Sequence, residues 1–394
     1  MVTLDKIYHA AYVLKQVARQ TDLIYAPNLN GLYLKTENLQ LTGSFKLRGA
    51  YYKISQLSQE QRDAGIVACS AGNHAQGVAL AASRMGIRSV VCMPDGAPIS
   101  KVEATKALGA EVCLVKGAYD DAYNHACKLQ EETGMTFIHP FNDDEVIAGQ
   151  GTIGLEILDQ LSDVDAVICP IGGGGLISGV AYAIKNLNPN VAVYGVQAEN
   201  APSMAESVRK GETVTLDTVQ TFADGIAVKH PGDTTFEIVQ KYVDQVVTVS
   251  EDEIAAAILA LIEKQKLIAE GAGAVSVAAA MFGKLPIEGK KVVCLVSGGN
   301  IDVSILNRVI TRGLTKGGRI CNITLDLNDK PGQLSAVCDI IGRQGGNILS
   351  VTHGRTTTKG MINSCELHVE LETRNAEHIK QIHDALEVAG FQVI

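Results

Sequence analysis

The feature that most constrains the fold of this chain is a regular alternation of short β-branched runs and helical segments between residues 64 and 320. Strands that alternate with helices form βαβ units, in which helices cover both faces of a parallel sheet. The fold class predicted for this region is therefore α/β. The strand-like runs are GIVACS, SVVCMP, EVCLV, TFIHP, AVICP, VAVYGVQAE, QVVTV and KVVCLVS.

A glycine-containing basic connector at residues 312–319 ends this pattern. The chain beyond it predicts strand, helix, strand, strand, helix and strand, and alternating runs such as HVEL suit a sheet that is exposed on one face. We therefore predict a large domain at 1–319 and a small α+β (βαββαβ) domain at 320–394.

The composition excludes several classes of function. With 34 Lys and Arg against 43 Asp and Glu, the 394-residue chain has a formal charge of −9 and lacks the basic surface of a dedicated nucleic-acid-binding protein. No apolar run reaches the ~18–20 residues of a membrane-spanning helix, and the charged N-terminal segment does not resemble a signal peptide. We expect a cytoplasmic protein that binds small molecules or copies of itself.

Nine cysteines are spread along the chain, and no two lie closer than 14 positions. This spacing excludes a CxxC zinc pair and a compact disulfide framework. Several cysteines end strand-like runs, where a thiol behaves as a small buried apolar group. We expect the thiols to be reduced and structural. The nine are Cys69, Cys92, Cys113, Cys127, Cys169, Cys294, Cys321, Cys338 and Cys365.

The strongest glycine signal is a run of four glycines at 172–175, between the strand-like AVICP and a helical segment. Glycines let backbone N–H groups converge, and a helix N-terminus adds partial positive charge, so the expected ligand group is a phosphate. The spacing of Gly173, Gly175 and Gly179, with Glu199 after the next strand, also resembles a dinucleotide-binding fingerprint. A Rossmann dinucleotide site is therefore a second interpretation.

A second segment, LTGSFKLRGA at 41–50, predicts a helix that begins near Ser44, its expected N-cap, and places Lys46 in the first turn. The positive helix end and shelter from water favour the neutral amine, as imine formation requires. Taken alone, Lys46 is more typical of a solvated surface lysine.

A third segment, SAGNHAQG at 70–77, follows the strand-like run that ends at Cys69 and begins a helix. A Ser-x-Gly-Asn turn presents a hydroxyl, an amide and successive N–H groups, which suits a carboxylate ligand. Taken alone, His74 is more typical of a capping or packed histidine than of a catalytic base.

Together these segments resemble the tryptophan-synthase-β-like family of pyridoxal 5'-phosphate (PLP) enzymes, or fold type II, and most closely its threonine/serine dehydratases. Five motifs occur in the family's order across residues 1–318, namely SFKLRGA, SAGNHAQG, GGGGLISG, EGAGA and SGGN. The resemblance implies a two-lobed catalytic domain, with a large lobe at about 1–48 and 147–319 and a small lobe at about 49–146.

The resemblance also implies roles for individual residues. Lys46 would hold PLP through an imine and remove the substrate α-proton as general base. Asn73 would hydrogen-bond the ring hydroxyl, and Ser297 would meet the pyridine nitrogen, where a hydroxyl leaves a weaker electron sink than a carboxylate and so suits elimination. The phosphate is expected on Gly172, Gly173, Gly174, Gly175 and Leu176, and the substrate carboxylate on Ser70, Ala71, Gly72, Asn73 and His74.

The implied reaction converts L-threonine, and L-serine, to 2-oxobutanoate or pyruvate and ammonia. Related serine racemases place a second serine where this chain has Ala71, so we favour dehydration, with serine racemase or another fold-type-II β-eliminase as the enzymatic alternative. A non-catalytic amino-acid or nucleotide sensor is the alternative from another class. Relatives that bind a divalent cation have a second acidic residue six positions after the glutamate that matches Glu199; here it is Ala205, so we expect no required metal.

The last 75 residues resemble an ACT domain, a small module that binds amino acids and pairs with another copy. The resemblance implies allosteric regulation, with isoleucine or valine as the natural effectors if the enzyme serves isoleucine biosynthesis, and a homo-oligomer that is a dimer or a tetramer. A dimerisation domain without a ligand is the alternative. The expected effector residues are Asn328, Pro331, Gly332, Gln333 and Leu334.

Overall fold

The computed structural model describes residues 1–355 and 364–394 and divides into two compact units, Met1–Val303 and Ser304–Ile394. This boundary lies ahead of the one expected at 319/320, because most of the expected connector is helical and forms the end of the helix Val303–Lys316. Residues 356–363 of the expected small domain lie outside the described residues.

The first unit is built from alternating strands and helices. Its strands are β1 (Leu23–Ala26), β2 (Leu32–Lys35), β3 (Ile66–Cys69), β4 (Ser89–Pro94), β5 (Glu111–Val115), β6 (Thr136–Phe137), β7 (Ala166–Pro170), β8 (Ala192–Ala198), β9 (Gln245–Val249) and β10 (Val292–Leu295). Its helices are α1 (Leu4–Leu14), α2 (Lys46–Ser55), α3 (Gln59–Ala64), α4 (Asn73–Arg84), α5 (Ile99–Ala107), α6 (Tyr119–Thr133), α7 (Asp144–Gln160), α8 (Gly175–Leu187), α9 (Ser203–Lys210), α10 (Asp233–Tyr242), α11 (Glu251–Ala260) and α12 (Gly271–Met281).

These strands form two sheets. The larger sheet has the order β1-β2-β10-β7-β8-β9 and is parallel except for the hairpin β1-β2, and the smaller has the order β5-β4-β3-β6 and is parallel throughout. The predicted α/β class is confirmed. The hairpin was not predicted, because its two strands are only four residues long and carry no helix between them.

The core of the larger sheet explains why strand and helix segments alternate along the chain. Ile177, Val180 and Ile184 lie on one face of α8, at helical spacing, and pack with Val167 and Val193 from the neighbouring strands. Helices cover the sheet, so strands such as β7 are buried along their whole length and carry apolar residues on both faces.

Three strands of the first unit end next to the motifs singled out in the sequence. In the smaller sheet, the turn that begins at Ser70 follows the end of β3. In the larger sheet, the four glycines follow β7 and Ser297 follows β10. Ligands of parallel α/β sheets bind beyond the carboxyl ends of the strands, so this placement defines where to look for a site.

The second unit consists of α13 (Val303–Lys316), β11 (Ile320–Asn328), α14 (Gln333–Gln344), β12 (Asn347–Gly354), β13 (Ser364–Glu372), α15 (Ala376–Val388) and β14 (Gln392–Val393). Its antiparallel sheet has the order β12-β13-β11-β14. Leu325 and Leu367 of the sheet pack with Val337 of α14 and Ile382 of α15. Burial alternates along β11 and β13, as expected for a sheet covered on one face.

Candidate active site

The start of α2 is joined to the SGGN motif by main-chain contacts. Ser44 forms an antiparallel bridge with Gly298, and the N–H of Phe45 donates to the carbonyl of Ser297 over 3.1 Å. Because Ser44 is held in this bridge, the helix begins at Lys46 with Phe45 as its N-cap, and the expectation that Ser44 caps the helix is wrong. Two distant segments of the sequence therefore meet at Lys46.

The Lys46 amine is partly buried and has a neutral partner. Its Nζ donates to the carbonyl oxygen of Pro140 over 2.8 Å and lies 5.2 Å from the centre of the Phe45 ring. Burial lowers the pKa of Lys46 to about 8, although the negative charge of Glu270 opposes this shift. A substantial fraction of the amine is therefore neutral at mildly alkaline pH, unlike that of a solvated lysine.

The residue after Pro140 connects the lysine to the four glycines. A Cβ on Gly173 would lie 2.5 Å from ring atoms of Phe141, and a Cβ on Gly175 would lie 2.8 Å from the Phe141 Cα. Both distances are below any real Cβ contact, so these positions require glycine. The Lys46 amine and the glycine turn therefore contact neighbouring residues, Pro140 and Phe141, of one segment.

The glycine turn leads directly into α8. Gly174 is the N-cap and has a φ of 100°, which a residue with a side chain rarely adopts. The hydroxyl of Thr235 donates to the Gly173 carbonyl over 2.6 Å and fixes the turn from the side of α10. The first N–H groups of α8 have no acceptor within the helix and lie at its positive end, which makes the turn suited to a phosphate.

Asn73 is the centre of a chain of hydrogen-bonded polar side chains. Its Nδ2 donates to Glu270 Oε1 over 2.6 Å, and its Oδ1 accepts from Asn300 Nδ2 over 2.8 Å. Burial raises the pKa of Glu270 to about 7, and the charge of Asp224 adds to the shift. This carboxyl group therefore changes its charge near neutral pH.

Ser297 lies just beyond β10 and is almost completely buried. Its hydroxyl is 3.4 Å from the carbonyl oxygen of Ala272, a long contact. Its own carbonyl accepts the hydrogen bond from Phe45 described above, so the serine lies next to the segment that begins α2.

The turn after β3 presents polar groups to the same region. The N–H of Gly72 donates to Ser70 Oγ over 3.2 Å, which orders the turn that also contains Ala71. His74 Nε2 lies 2.8 Å from the carbonyl oxygen of Ile138, which fixes Nε2 as the protonated nitrogen. Burial and the charge of Lys46 lower the pKa of His74 to about 3, so the ring is neutral and packed.

Some residues of the pocket were not singled out in the sequence. His139 accepts the N–H groups of Phe141 and Asn142 through Nδ1, and burial and the charge of Lys46 lower its pKa to about 4. The run TFIHPFN gave no signal for this role, although His139 contacts residues only two and three positions away, because no recognised motif includes this run. The hydrogen-bonded chain around Asn73 could have been predicted in part, because its other members, Glu270 and Asn300, are the polar residues of the EGAGA and SGGN motifs.

The effector residues expected in the second unit share one strand-to-helix turn. Asn328 ends β11, and Gly332, with a φ of 91°, is the N-cap of α14. Pro331 precedes this glycine, and Gln333 and Leu334 form the first turn of the helix, with the leucine exposed.

Among the described residues, no helix combines the length and the apolar character that crossing a membrane requires.

Residues 14–298 match the family model of the pyridoxal-phosphate dependent enzymes, and residues 322–388 match the ACT domain. The chain is 52% identical to the L-threonine ammonia-lyase of Thermotoga maritima, over 100% of this chain and 99% of that protein.

Solved structures show the same similarity for the larger part of the chain. The processed form of threonine deaminase isoform 2 from Solanum lycopersicum has 41% identity and a TM-score of 0.75, covering 78% of this chain and 87% of that chain. Maize serine racemase has 35% identity and a TM-score of 0.75, covering 80% of this chain and 98% of the racemase.

Proposed function

The chain belongs to the pyridoxal-phosphate-dependent enzymes and carries an ACT domain, and from this premise we propose that it catalyses the dehydration and deamination of L-threonine to 2-oxobutanoate and ammonia. The similarity to an L-threonine ammonia-lyase along the full chain supports this substrate. The single observation that carries the mechanism is the Lys46 amine, whose pKa is lowered to about 8 and whose partner is a neutral carbonyl.

The side chains around Lys46 match the functional groups of PLP. An amine with a lowered pKa suits an aldehyde, and the glycine turn at the N-terminus of α8 suits a phosphate. The Asn73 amide suits a phenolic hydroxyl, and the Ser297 hydroxyl suits a pyridine nitrogen. We assign the phosphate to residues 172–176.

When bound, PLP supplies an aldehyde that condenses with amines and a conjugated ring that stabilises negative charge on the substrate α-carbon. The protein supplies the base. The neutral Lys46 amine accepts the α-proton of threonine, and burial makes this neutral form available by lowering the pKa of the amine, although the charge of Glu270 opposes the shift. Loss of the β-hydroxyl as water, followed by hydrolysis, then gives 2-oxobutanoate and ammonia.

The substrate carboxylate is assigned to the turn from Ser70 to His74. The Ser70 hydroxyl and the N–H groups at the start of α4 donate hydrogen bonds to an anion there. His74 stays neutral because its pKa is about 3, and its protonated nitrogen is engaged with Ile138. The histidine therefore positions the turn and does not compete with Lys46 for the proton.

The test is product formation by the purified holoenzyme. L-Threonine is expected to give equimolar 2-oxobutanoate and ammonia, measured by coupled reduction of the keto acid and by ammonia determination. A holoenzyme with bound PLP that releases no keto acid from threonine or serine overturns the proposal.

Serine racemisation is the second candidate, because a serine racemase shares the fold at 35% identity. Ala71 lies in the turn assigned to the substrate carboxylate, and its methyl group cannot deliver a proton to the α-carbon. We therefore expect L-serine to give pyruvate without D-serine. Chiral chromatography of the reaction mixture decides between the two, since accumulation of D-serine at a rate comparable with pyruvate would establish the racemase.

For the second unit we propose allosteric regulation by a small amino acid at the turn formed by residues 328–334. The match to the ACT domain supports this role, and a homo-oligomer formed in part by the second unit is included in the proposal. We place the enzyme in the cytoplasm, where its free cysteines stay reduced. Threonine turnover with and without isoleucine or valine tests the regulation, and an unchanged rate with both amino acids contradicts it for these two effectors.

A further inference from the structure

Three cysteines that are far apart in the sequence lie side by side in the smaller sheet of the first unit. Cys69 of β3 is the register partner of Cys92 of β4, which in turn is the register partner of Cys113 of β5. Register partners in a parallel sheet lie about 4.8 Å apart and point to the same face. The three side chains join one apolar cluster with Ala122 and Ala126 of α6, so this face is the one that α6 covers.

Helix α6 adds an imidazole to this row of thiols. The Nε2 atom of His125 lies 3.5 Å from the Sγ atom of Cys113. The Sγ atoms of Cys92 and Cys113 and a ring nitrogen of His125 all lie within 4.8 Å of one another. Cys92 is buried, whereas Cys113 and His125 are partly exposed, which leaves a route from solvent to the three donor atoms.

We propose that Cys92, Cys113 and His125 form a binding site for a thiophilic d10 cation such as Zn²⁺ or Cd²⁺. A Zn–S bond of about 2.3 Å and a Zn–N bond of about 2.0–2.1 Å at the tetrahedral angle place sulfur and nitrogen about 3.5 Å apart. The sulfur and nitrogen of Cys113 and His125 are separated by this distance in the metal-free side-chain arrangement. The sulfur of Cys92 lies within 4.8 Å of the other two donor atoms, so any approach that it has to make is small.

The donor set determines the class of cation. Two thiolates and one imidazole favour soft or borderline d10 ions and disfavour Mg²⁺ and Ca²⁺, which bind oxygen ligands. The three protein ligands leave a fourth tetrahedral position, and the exposure of Cys113 and His125 lets water occupy it. The bound ion would connect two strands of the smaller sheet to α6.

This inference goes beyond the proposed activity, since none of the three ligands takes part in the reaction assigned to Lys46. A second group of donors among the described residues, Asp329, His353 and Cys365, lies in the second unit. It contains one thiol instead of two, so the thiolate-to-metal absorption that reports binding distinguishes the two groups.

The experiment titrates the holoenzyme with Cd²⁺ in the presence of a phosphine reductant and follows the ultraviolet thiolate-to-cadmium charge-transfer band. We expect a band with one Cd²⁺ per chain that Zn²⁺ removes by competition, and proton release that accompanies binding. Cys113→Ala and His125→Asn are expected to weaken Cd²⁺ binding at least about 100-fold, because each removes a direct ligand. Cd²⁺ is also expected to raise the thermal midpoint of the wild type and not that of either variant.

Cys127→Ala is the matched control, since Cys127 is a partly exposed thiol on the same helix, two residues after His125, and lies outside the donor group. Its Cd²⁺ affinity and band are expected to equal those of the wild type. All three variants are expected to keep the threonine turnover of the wild type without metal, which shows that they fold. A band that survives in both Cys113→Ala and His125→Asn, or that Cys127→Ala weakens as much as they do, refutes the site.

Discussion

Two lysines of the first unit, Lys35 and Lys46, differ in whether a carboxylate accepts a hydrogen bond from the amine. The Nζ atom of Lys35 is fully buried and donates to the carbonyl of Thr21, to Glu156 and to Gln160, at 2.6, 2.6 and 2.9 Å. The Nζ atom of Lys46 donates to one neutral carbonyl at 2.8 Å. Burial lowers the pKa of both amines. A carboxylate holds Lys35 in place as an ion, whereas Lys46 is free to act as a neutral amine.

The cluster around Lys35 also contains the residue two positions after Lys46. Arg48 is buried and donates to both Glu37 and Glu156, which raises the pKa of the guanidinium and lowers that of the Glu37 carboxyl. The same turn of α2 thus carries Lys46, the proposed neutral base, and Arg48, a buried cation paired with two carboxylates. The difference is that carboxylates accept from the Arg48 guanidinium whereas a carbonyl oxygen accepts from the Lys46 amine, and it can be tested by removing each basic side chain separately.

The largest expected effect is the loss of catalysis in Lys46→Ala. Threonine turnover should fall at least about 10⁴-fold, because the change removes the covalent attachment of PLP as well as the base, and a base alone contributes about 10²–10⁴-fold. The purified variant should also lose the yellow absorption of the imine. Steady-state kinetics and the visible spectrum measure both effects.

Lys35→Met is the matched control for Lys46→Ala. It removes the other buried ammonium and leaves Glu156 paired with Arg48. We expect the yellow absorption and a turnover within about tenfold of the wild type, together with a lower unfolding midpoint. If Lys35→Met abolished the absorption as Lys46→Ala does, the division of roles between the two lysines would be wrong.

The second prediction concerns the ion pairs of Arg48. Arg48→Met leaves Glu37, which has no exposed surface, without its cationic partner, and breaking a buried pair in this way costs about 3–5 kcal/mol. Urea unfolding of the holoenzyme measures the loss. The control is Arg88→Met, which breaks the exposed pair with Glu111 and is expected to leave the urea midpoint close to that of the wild type. Equal losses in the two variants would show that burial does not set the value of these pairs.

The third prediction concerns the glycine turn, which shapes the Lys46 pocket without charges. A Cβ on Gly174 would lie 2.7 Å from Thr235 side-chain atoms at a φ of 100°, so Gly174→Ala combines backbone strain of about 1–2 kcal/mol with overpacking of about 1–3 kcal/mol. Unfolding should show a loss of about 2–5 kcal/mol, and fluorescence titration should show weaker PLP binding.

Gly211→Ala is the control that separates the cost of backbone strain from the effect of steric overlap at the added Cβ. Gly211 also has a positive φ, 80°, but a Cβ there would meet no atom within 4 Å. We expect a loss of about 1 kcal/mol and unchanged PLP affinity. Weakened PLP binding in Gly211→Ala would mean that Gly174→Ala acts through global destabilisation instead of through the turn.

Much of the fold followed from local patterns. Buried strands such as β4, β7 and β8 were predictable because parallel sheets leave uninterrupted apolar runs, and the one-faced sheet of the second unit was predictable from its alternation. The four-residue hairpin β1-β2 was missed because two short strands give too little pattern. The connector at 312–319 is largely helical because α13 extends through Lys316, so glycine and basic residues alone did not mark the end of the first unit.

In the candidate site, only the residues that lie in the recognised motifs could be predicted from the sequence. Lys46, Asn73 and Ser297 lie in motifs of recognisable order, but the partners that set the chemistry of Lys46 do not. Pro140 is 94 positions away and contributes a carbonyl oxygen, which every residue has. The same limit applies to the cysteines, since spacing along the chain excluded a CxxC pair while the register of the strands places Cys92 beside Cys113.

The smallest expected effect is a pH dependence of PLP binding. In the proposed mechanism only the neutral Lys46 amine can form the imine, and the pKa of this amine is about 8. Below this pH the apoenzyme should lose PLP affinity about tenfold per pH unit, and above it the affinity should level off. A solvated lysine would instead extend the rise to about pH 10.4. Pyridoxine 5'-phosphate, which has no aldehyde, is the control, because it senses the titration of Glu270 and of its own phosphate but needs no neutral amine. The ratio of the two affinities therefore isolates the contribution of the Lys46 titration. A ratio that does not change between about pH 6.5 and 8 would contradict the prediction. It would show that the amine is already neutral, or that a group other than the lysine governs the reaction with the aldehyde.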